Sequence, residues 1–184
     1  MSTVISFVIR DALAADIQPC LALDHTYETD RVWQMTATED SSQRQVVFKT
    51  ERLPRTMEAT CQPHADRLRL SLAGDHCFLV AARRESAEVL GYLAMRSDPS
   101  YGLAHVHDLI VSRPYRHHRI GTRLLNVARQ WAGERSLKQL NIELQTKNHP
   151  AITFCQQAGF KFCGFNDHYY PNRDIAIFFY QTLR

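Results

Sequence analysis

The cysteines of this chain exclude more than they supply. There are five (Cys20, Cys61, Cys77, Cys155, Cys163), an odd number, scattered and without a CxxC pair. A zinc site, or any other metal site, and a disulfide framework are therefore not expected, and a reducing cytoplasm is the default location. No apolar run approaches the roughly 20 residues needed to cross a bilayer, so no membrane association is expected. The basic-then-apolar pattern of a signal segment is missing as well, because Met1-Ser2-Thr3 leads straight into an apolar strand-like stretch. Internal repeats, low-complexity segments and linkers are absent from the pattern. Charge of one sign is also scarce. The net charge of +3 is too small to point to nucleic acid as a partner. A length of 184 residues, with 45% hydrophobic and 22% charged residues, predicts a single soluble domain over 1–184 with a sizeable core.

What is there is concentrated in one stretch, Val106 to Leu125, VHDLIVSRPYRHHRIGTRLL. It starts as an apolar strand, passes through a turn, and ends as an amphipathic helix with Ile120, Leu124, Leu125, Ala128, Trp131 and Ala132 at helical spacing. The turn from Arg113 to Arg123 holds four arginines, two histidines and no acid. A helix start leaves backbone N–H groups without partners inside the helix, and the macrodipole adds partial positive charge there. Within a basic cluster, those groups make a cradle for a pyrophosphate. Charge and spacing alone fit equally well a strand–turn–helix connection with a solvated basic rim.

The turn resembles motif A of the GNAT family of N-acetyltransferases, Arg/Gln-x-x-Gly-x-Gly/Ala. Here it reads Arg116-His117-His118-Arg119-Ile120-Gly121, with Arg119 in the place of the middle glycine. Downstream, Asn148-His149-Pro150-Ala151-Ile152-Thr153-Phe154-Cys155 and Ala158-Gly159-Phe160 are similar to the family's second segment, Asn-x-x-Ala-x-x-Phe-Tyr followed by Gly-Phe. Cys155 stands where the family usually has tyrosine. The two segments cover about residues 104 to 165. The ending, with Asp167, Tyr169-Tyr170 and Ile175 to Tyr180, resembles the streptothricin-acetyltransferase-like branch.

The resemblance implies an α/β GNAT fold: a single mixed, mostly antiparallel sheet of six or seven strands, helices on both faces, and a central splay between two parallel strands. It implies acetyl-CoA as cosubstrate. By position, the pantetheine arm would meet backbone groups of Leu109, Ile110 and Val111. The pyrophosphate would sit on Arg116, His117, His118, Arg119, Ile120, Gly121 and Thr122, and Asn148 would add a contact. Proton handling falls to His107, Asp108 and Glu143, with His105 beside them. His105 and His107 share one strand face unless a bulge intervenes. Tyr170 takes the donor role that the missing family tyrosine leaves open. The implied activity is acetyl transfer to a primary amine on a small cationic acceptor, within a ternary complex, by a monomer or homodimer. Acetylation of a protein lysine or N-terminus, or a degenerate domain that binds acyl-CoA without turnover, are the alternatives.

Along the rest of the chain, Val4 to Ile9 predicts a strand, and Asp11 a helix cap before Leu13, Ile17, Leu21 and Leu23, with Pro19 as a kink. Asp24 to Met35 mixes acids with Tyr27 and Trp33. It fits a polar connection, or an acidic, aromatic wall for a cationic amine (Asp24, Glu28, Asp30, Trp33). Thr38 to Gln43 is a polar turn, and Leu53 to His64 shows no clear period. Cys77 to Ala82 and Val89 to Met95 predict a hairpin, the first strand buried on both faces. Leu137 to Leu144 alternates, with Leu140, Ile142 and Leu144 on one face and Asn141 and Glu143 on the other, as expected of an edge strand or a strand lining a cleft. Pro150 suits the first turn of a helix and Gly159 its end.

Overall fold

The structure, a computed structural model, describes residues 5–183. Its strands are β1 (Phe7–Asp11), β2 (Thr26–Glu39), β3 (Arg44–Thr60), β4 (His76–Arg83), β5 (Val89–Asp98), β6 (Leu103–Val111), β7 (Gln139–Gln145), β8 (Lys161–Asn166) and β9 (Ala176–Thr182). Its helices are α1 (Ile17–Leu21), α2 (Ala65–Leu70), α3 (Ile120–Glu134) and α4 (His149–Gln157). The expected mixed sheet has seven strands in the order β1-β4-β5-β6-β7-β9-β8, and β2 and β3 form a separate two-stranded sheet. The chain divides into two compact units, Met1–Thr26 with Thr60–Glu143 and Tyr180–Arg184, and Tyr27–Ala59 with Leu144–Phe179.

In the first unit, β1, β4, β5 and β6 pair antiparallel in turn. The apolar run of β4 is buried throughout its interior, as its lack of alternation predicts. Phe78, Val80, Tyr92 and Ala94 pack with Ile17 and Cys20 of α1 and Leu68 of α2. The intervening residues Leu79, Ala81 and Leu93 point to the other face and are equally buried. The buried stripe of α3, Ile120, Leu124, Leu125, Ala128 and Ala132, belongs to a helix that contacts β4, β5 and β6.

Strand β6 pairs parallel with β7, over Leu103↔Gln139 to Val106↔Ile142. Both strands then run on, β6 to Val111 and β7 to Gln145, outside that ladder. This is the splay that the family resemblance implies. Just at its mouth, Ala94 faces Asp108 while Met95 faces Val106, so His107 is the extra residue of a β-bulge.

The second unit contains the β2–β3 ribbon, α4, and most of β8 and β9. Trp33 meets Phe48, Phe162 and Phe179, and Phe162 meets Phe48 and Phe179, in tilted or edge-on contacts with ring centroids 5.4 to 6.0 Å apart. Asn148 caps α4 by accepting the Ala151 N–H at 3.1 Å, and Pro150 lies in the first turn as expected.

Several expectations change. Val4 lies outside the described residues, and the first strand runs on through Asp11, which therefore caps nothing. Asp16 takes that role: its carboxylate accepts the Leu13 N–H at 2.7 Å. Pro19 does not kink a longer helix. It occupies the first turn of the short α1, where its missing N–H has no helical partner to lose. Asp24 to Met35 is largely strand β2, not a connection, and most of the patternless Leu53 to His64 is strand β3. A two-stranded ribbon that is exposed along much of its length needs no apolar alternation, so periodicity had nothing to report there.

Candidate active site

The turn after β6 is built by two residues with left-handed backbone. His117 has φ 65° and Arg119 φ 62° with ψ 13°, and Arg119 is the residue that precedes α3. That conformation is natural to glycine and costs another residue about 1–2 kcal/mol. The place that the family pattern gives to glycine thus demands positive φ, and arginine fills it under strain. Such strain collects where a chain must present its backbone to a ligand.

The arginines of the turn do different work. The Arg116 guanidinium folds back, donating to the Val111 carbonyl at 3.0 Å and to the Asp24 carbonyl at 3.4 Å. Burial pulls its pKa below the ordinary arginine value. It braces the end of β6 more than it faces outward. His118 Nδ1 donates to the Arg116 carbonyl at 2.8 Å. His117 and Arg119 are exposed, and Arg123 lies over the ring of Phe7. The first N–H groups of α3, at Ile120, Gly121 and Thr122, have no acceptor within the helix.

At the mouth of the splay, a second group of side chains converges. His105 Nε2 donates to Glu143 Oε2 at 2.9 Å. Glu143, whose side chain is only 2% exposed, also accepts from Arg67 Nη2 through Oε1 at 2.7 Å. Arg67 Nη2 reaches the His107 carbonyl at 2.6 Å, and its Nε lies 3.0 Å from His107 Nδ1. His107 Nδ1 is also 2.9 Å from Asp108 Oδ2. Because His107 occupies the bulge, it does not share the environment of His105. It turns to Arg67 and Ser71, while His105 turns to β7.

So the structure brings the candidates His107, Asp108 and Glu143 together and adds Arg67 at their centre. Sequence reasoning missed Arg67. It sits on a six-residue helix, and its partners lie 40 and 76 positions away, so no local pattern marks it. Tyr170 belongs to the second unit, where its ring meets Tyr169 edge to face at 5.1 Å. Cys155 is buried on α4. The residues of the expected acidic wall fall in both units, Asp24 in the first and Glu28, Asp30 and Trp33 in the second. Asp24 accepts from its neighbour Thr26, Asp30 pairs with Arg31 and Arg52, and Trp33 is taken into the aromatic cluster.

A protein-family model, the acetyltransferase (GNAT) family, matches residues 33–160. The chain belongs to that family. This acetyltransferase uses acetyl-CoA as the cosubstrate of its acyl transfer. Its fold is similar to nourseothricin acetyltransferase, with a TM-score of 0.85 at 21% identity over 97% of this chain and 99% of that one. It is also similar to a candidate streptothricin acetyltransferase from Bacillus anthracis str. Ames, solved in complex with acetyl coenzyme A. There the TM-score is 0.75 at 19% identity, over 99% of this chain and 100% of the other. The ribosomal-protein-S18-alanine N-acetyltransferase from Escherichia coli follows with a TM-score of 0.67 at 12% identity, over 96% and 94%. No curated protein matches by sequence. The local geometry of this acetyltransferase fits the cosubstrate: a left-handed, basic turn at a helix start, and a β6 segment that leaves its parallel ladder before Leu109, Ile110 and Val111. Among the described residues, no helix is long and apolar enough to cross a membrane.

Proposed function

We propose that this acetyltransferase moves the acetyl group of acetyl-CoA directly to a primary amine of a small cationic acceptor. The observation that carries this reading is the cluster at the splay. A proton-handling group (His107, Asp108 and Glu143, tied by Arg67) lies where the two parallel strands leave their ladder. Transfer to an amine needs the thioester held in place, a proton removed from the ammonium, and donors for the charge that develops on oxygen and sulfur. Arg116 to Thr122 hold the pyrophosphate in this reading, with Asn148 assisting. The backbone of Leu109, Ile110 and Val111 lines the pantetheine arm, and Tyr170 serves the departing thiolate. The likeness to nourseothricin and streptothricin acetyltransferases supports a small basic acceptor over a protein lysine or N-terminus. The same reading includes action as one domain over 1–184, as a monomer or homodimer, in the cytoplasm, without nucleic acid.

The test is acetyl-CoA-dependent thiol release with a panel of amines, read beside acetyl-CoA binding. Turnover confined to small cationic amines is expected. Binding without release for every amine and peptide would favour the degenerate, acyl-CoA-binding domain, which the strained Arg119 in the glycine position otherwise supports.

A further inference from the structure

We propose that Arg67 is a positioning residue that holds His107 and Asp108 without a shared proton, which makes this pair the proton acceptor for the incoming amine. The proposal rests on the reading that the chain acetylates an amine. It starts from an accounting of hydrogens. Ser71 Oγ donates to the Arg67 carbonyl at 2.9 Å, so its hydrogen is committed. With the hydroxyl hydrogen placed on that carbonyl, His107 Nε2, 3.3 Å from the Ser71 oxygen, is assigned as the donor of the pair. Neutral His107 therefore carries its proton on Nε2 and presents a bare Nδ1.

A bare Nδ1 lying 2.9 Å from a carboxylate oxygen sets two acceptors against each other. Arg67 resolves the conflict. Its Nε–H is 3.0 Å from Nδ1 and 3.4 Å from Asp108 Oδ2, so one donor serves both. Its Nη2 is anchored on Glu143 Oε1 and on the His107 carbonyl, which fixes the guanidinium at the bulge. Arg67 is a cation in direct contact with both members of the pair. Glu143 and His105 pair with each other. Asp108 also acts on Tyr92 of β5, Cys20 of α1 and His25, but burial raises the first two and lowers the third, so all three are neutral near pH 7.

When the acceptor's ammonium gives up a proton, through water, one proton arrives on the pair and the amine becomes neutral. The proton settles on Nδ1 and is donated to Asp108 Oδ2, and Arg67 Nε turns wholly to the carboxylate. No electrons change hands. The amine's second proton leaves after attack on the thioester carbon, as the carbon–sulfur bond breaks, and goes to the departing thiolate.

Two measurements test this. Ring nitrogen NMR on the unliganded wild-type protein should find neutral His107 protonated on Nε2. In kinetics, Arg67→Met should move the acid limb of kcat/KM upward by roughly one pH unit, because a cation and a donor that oppose protonation are lost. Arg67→Lys should move it less. A neutral His107 protonated on Nδ1 would overturn the proposal. So would an Arg67→Met enzyme whose kcat falls equally at every pH with the limb in place, which is what a purely structural arginine gives. If Arg67→Met does not fold, the wild-type tautomer decides. Because the tautomer is read without substrate, failure to acetylate any amine would refute the acetyl-transfer reading and leave this test standing.

Discussion

Arg119 carries two opposing effects in one side chain. Its φ of 62° costs the fold energy, and its exposed guanidinium extends the positive charge of the turn. Arg119→Gly should relieve strain of about 1–2 kcal/mol, partly offset by the greater freedom of glycine in the unfolded chain. The same change should weaken acetyl-CoA binding and flatten its salt dependence, since one charge opposite the phosphates is gone. Calorimetry at two salt concentrations checks this, and tighter binding by the glycine variant would show arginine to be a defect of the cradle. Asp16 shows a residue with only a structural task. It accepts from both Arg10 Nη groups, at 2.7 and 2.8 Å, and from the Leu13 N–H. The hydrogen bonds from Arg10, more than any other influence, hold its pKa below the ordinary 3.8. A depressed carboxylate stabilises the fold above its unfolded pKa, and the contribution is lost as pH falls through the folded value. Asp16→Ala should therefore lower stability by about 2 kcal/mol at pH 7, with Arg10 partly screened by solvent, and the gap from wild type should close in strong acid. A denaturant melt at pH 7 and at acid pH measures it; an unchanged gap would assign the loss to packing alone.

At the scale of elements, legibility follows the range of the interaction that makes each one. The β4–β5 hairpin, β6, α3 and α4 were readable because apolar runs, helical spacing, Pro150 and Gly159 are local marks. The turn at Thr38 to Gln43 was readable too, and Asp40 does cap it, accepting from the Ser42 and Gln43 N–H groups. The strands on either side of that turn were not, since their exposed faces carry no period. The bulge at His107 was invisible because it is defined only against β5. For that reason His105 and His107 separate where simple alternation put them together. The loop between β8 and β9 and the helix α4 offer rival answers to the missing family tyrosine. Cys155 of α4 is buried, 1% exposed, and a thiol is a weak donor. Tyr170 is partly exposed. Tyr170→Phe should lower kcat on the order of tenfold with little change in acetyl-CoA affinity. The effect stays below that of most general acids because a thiolate of pKa about 8.5 leaves with little help. Cys155→Ala should be mild. The reverse pattern in steady-state kinetics would point to an acyl-cysteine route.

At the scale of the whole molecule, ligand binding should register as stability. A cosubstrate at a hundredfold its Kd stabilises the folded state by about 2.7 kcal/mol. For a chain of this size that raises Tm by roughly 5–10 °C. The same measurement tests whether the turn before α3 is the phosphate site, because Gly121→Glu separates binding from folding. A carboxylate in the first turn of a helix favours the helix through its dipole, so the unliganded variant should melt close to wild type. Yet the new charge falls within the sequence stretch of Arg113, Arg116, Arg119 and Arg123, where it would compete with the pyrophosphate. Its Tm should therefore stay flat as acetyl-CoA is added, while wild type climbs. A full thermal shift in Gly121→Glu would place the phosphates elsewhere. The backbone strain at His117 and Arg119 would then need another purpose, since two left-handed residues beside a helix start are costly to keep.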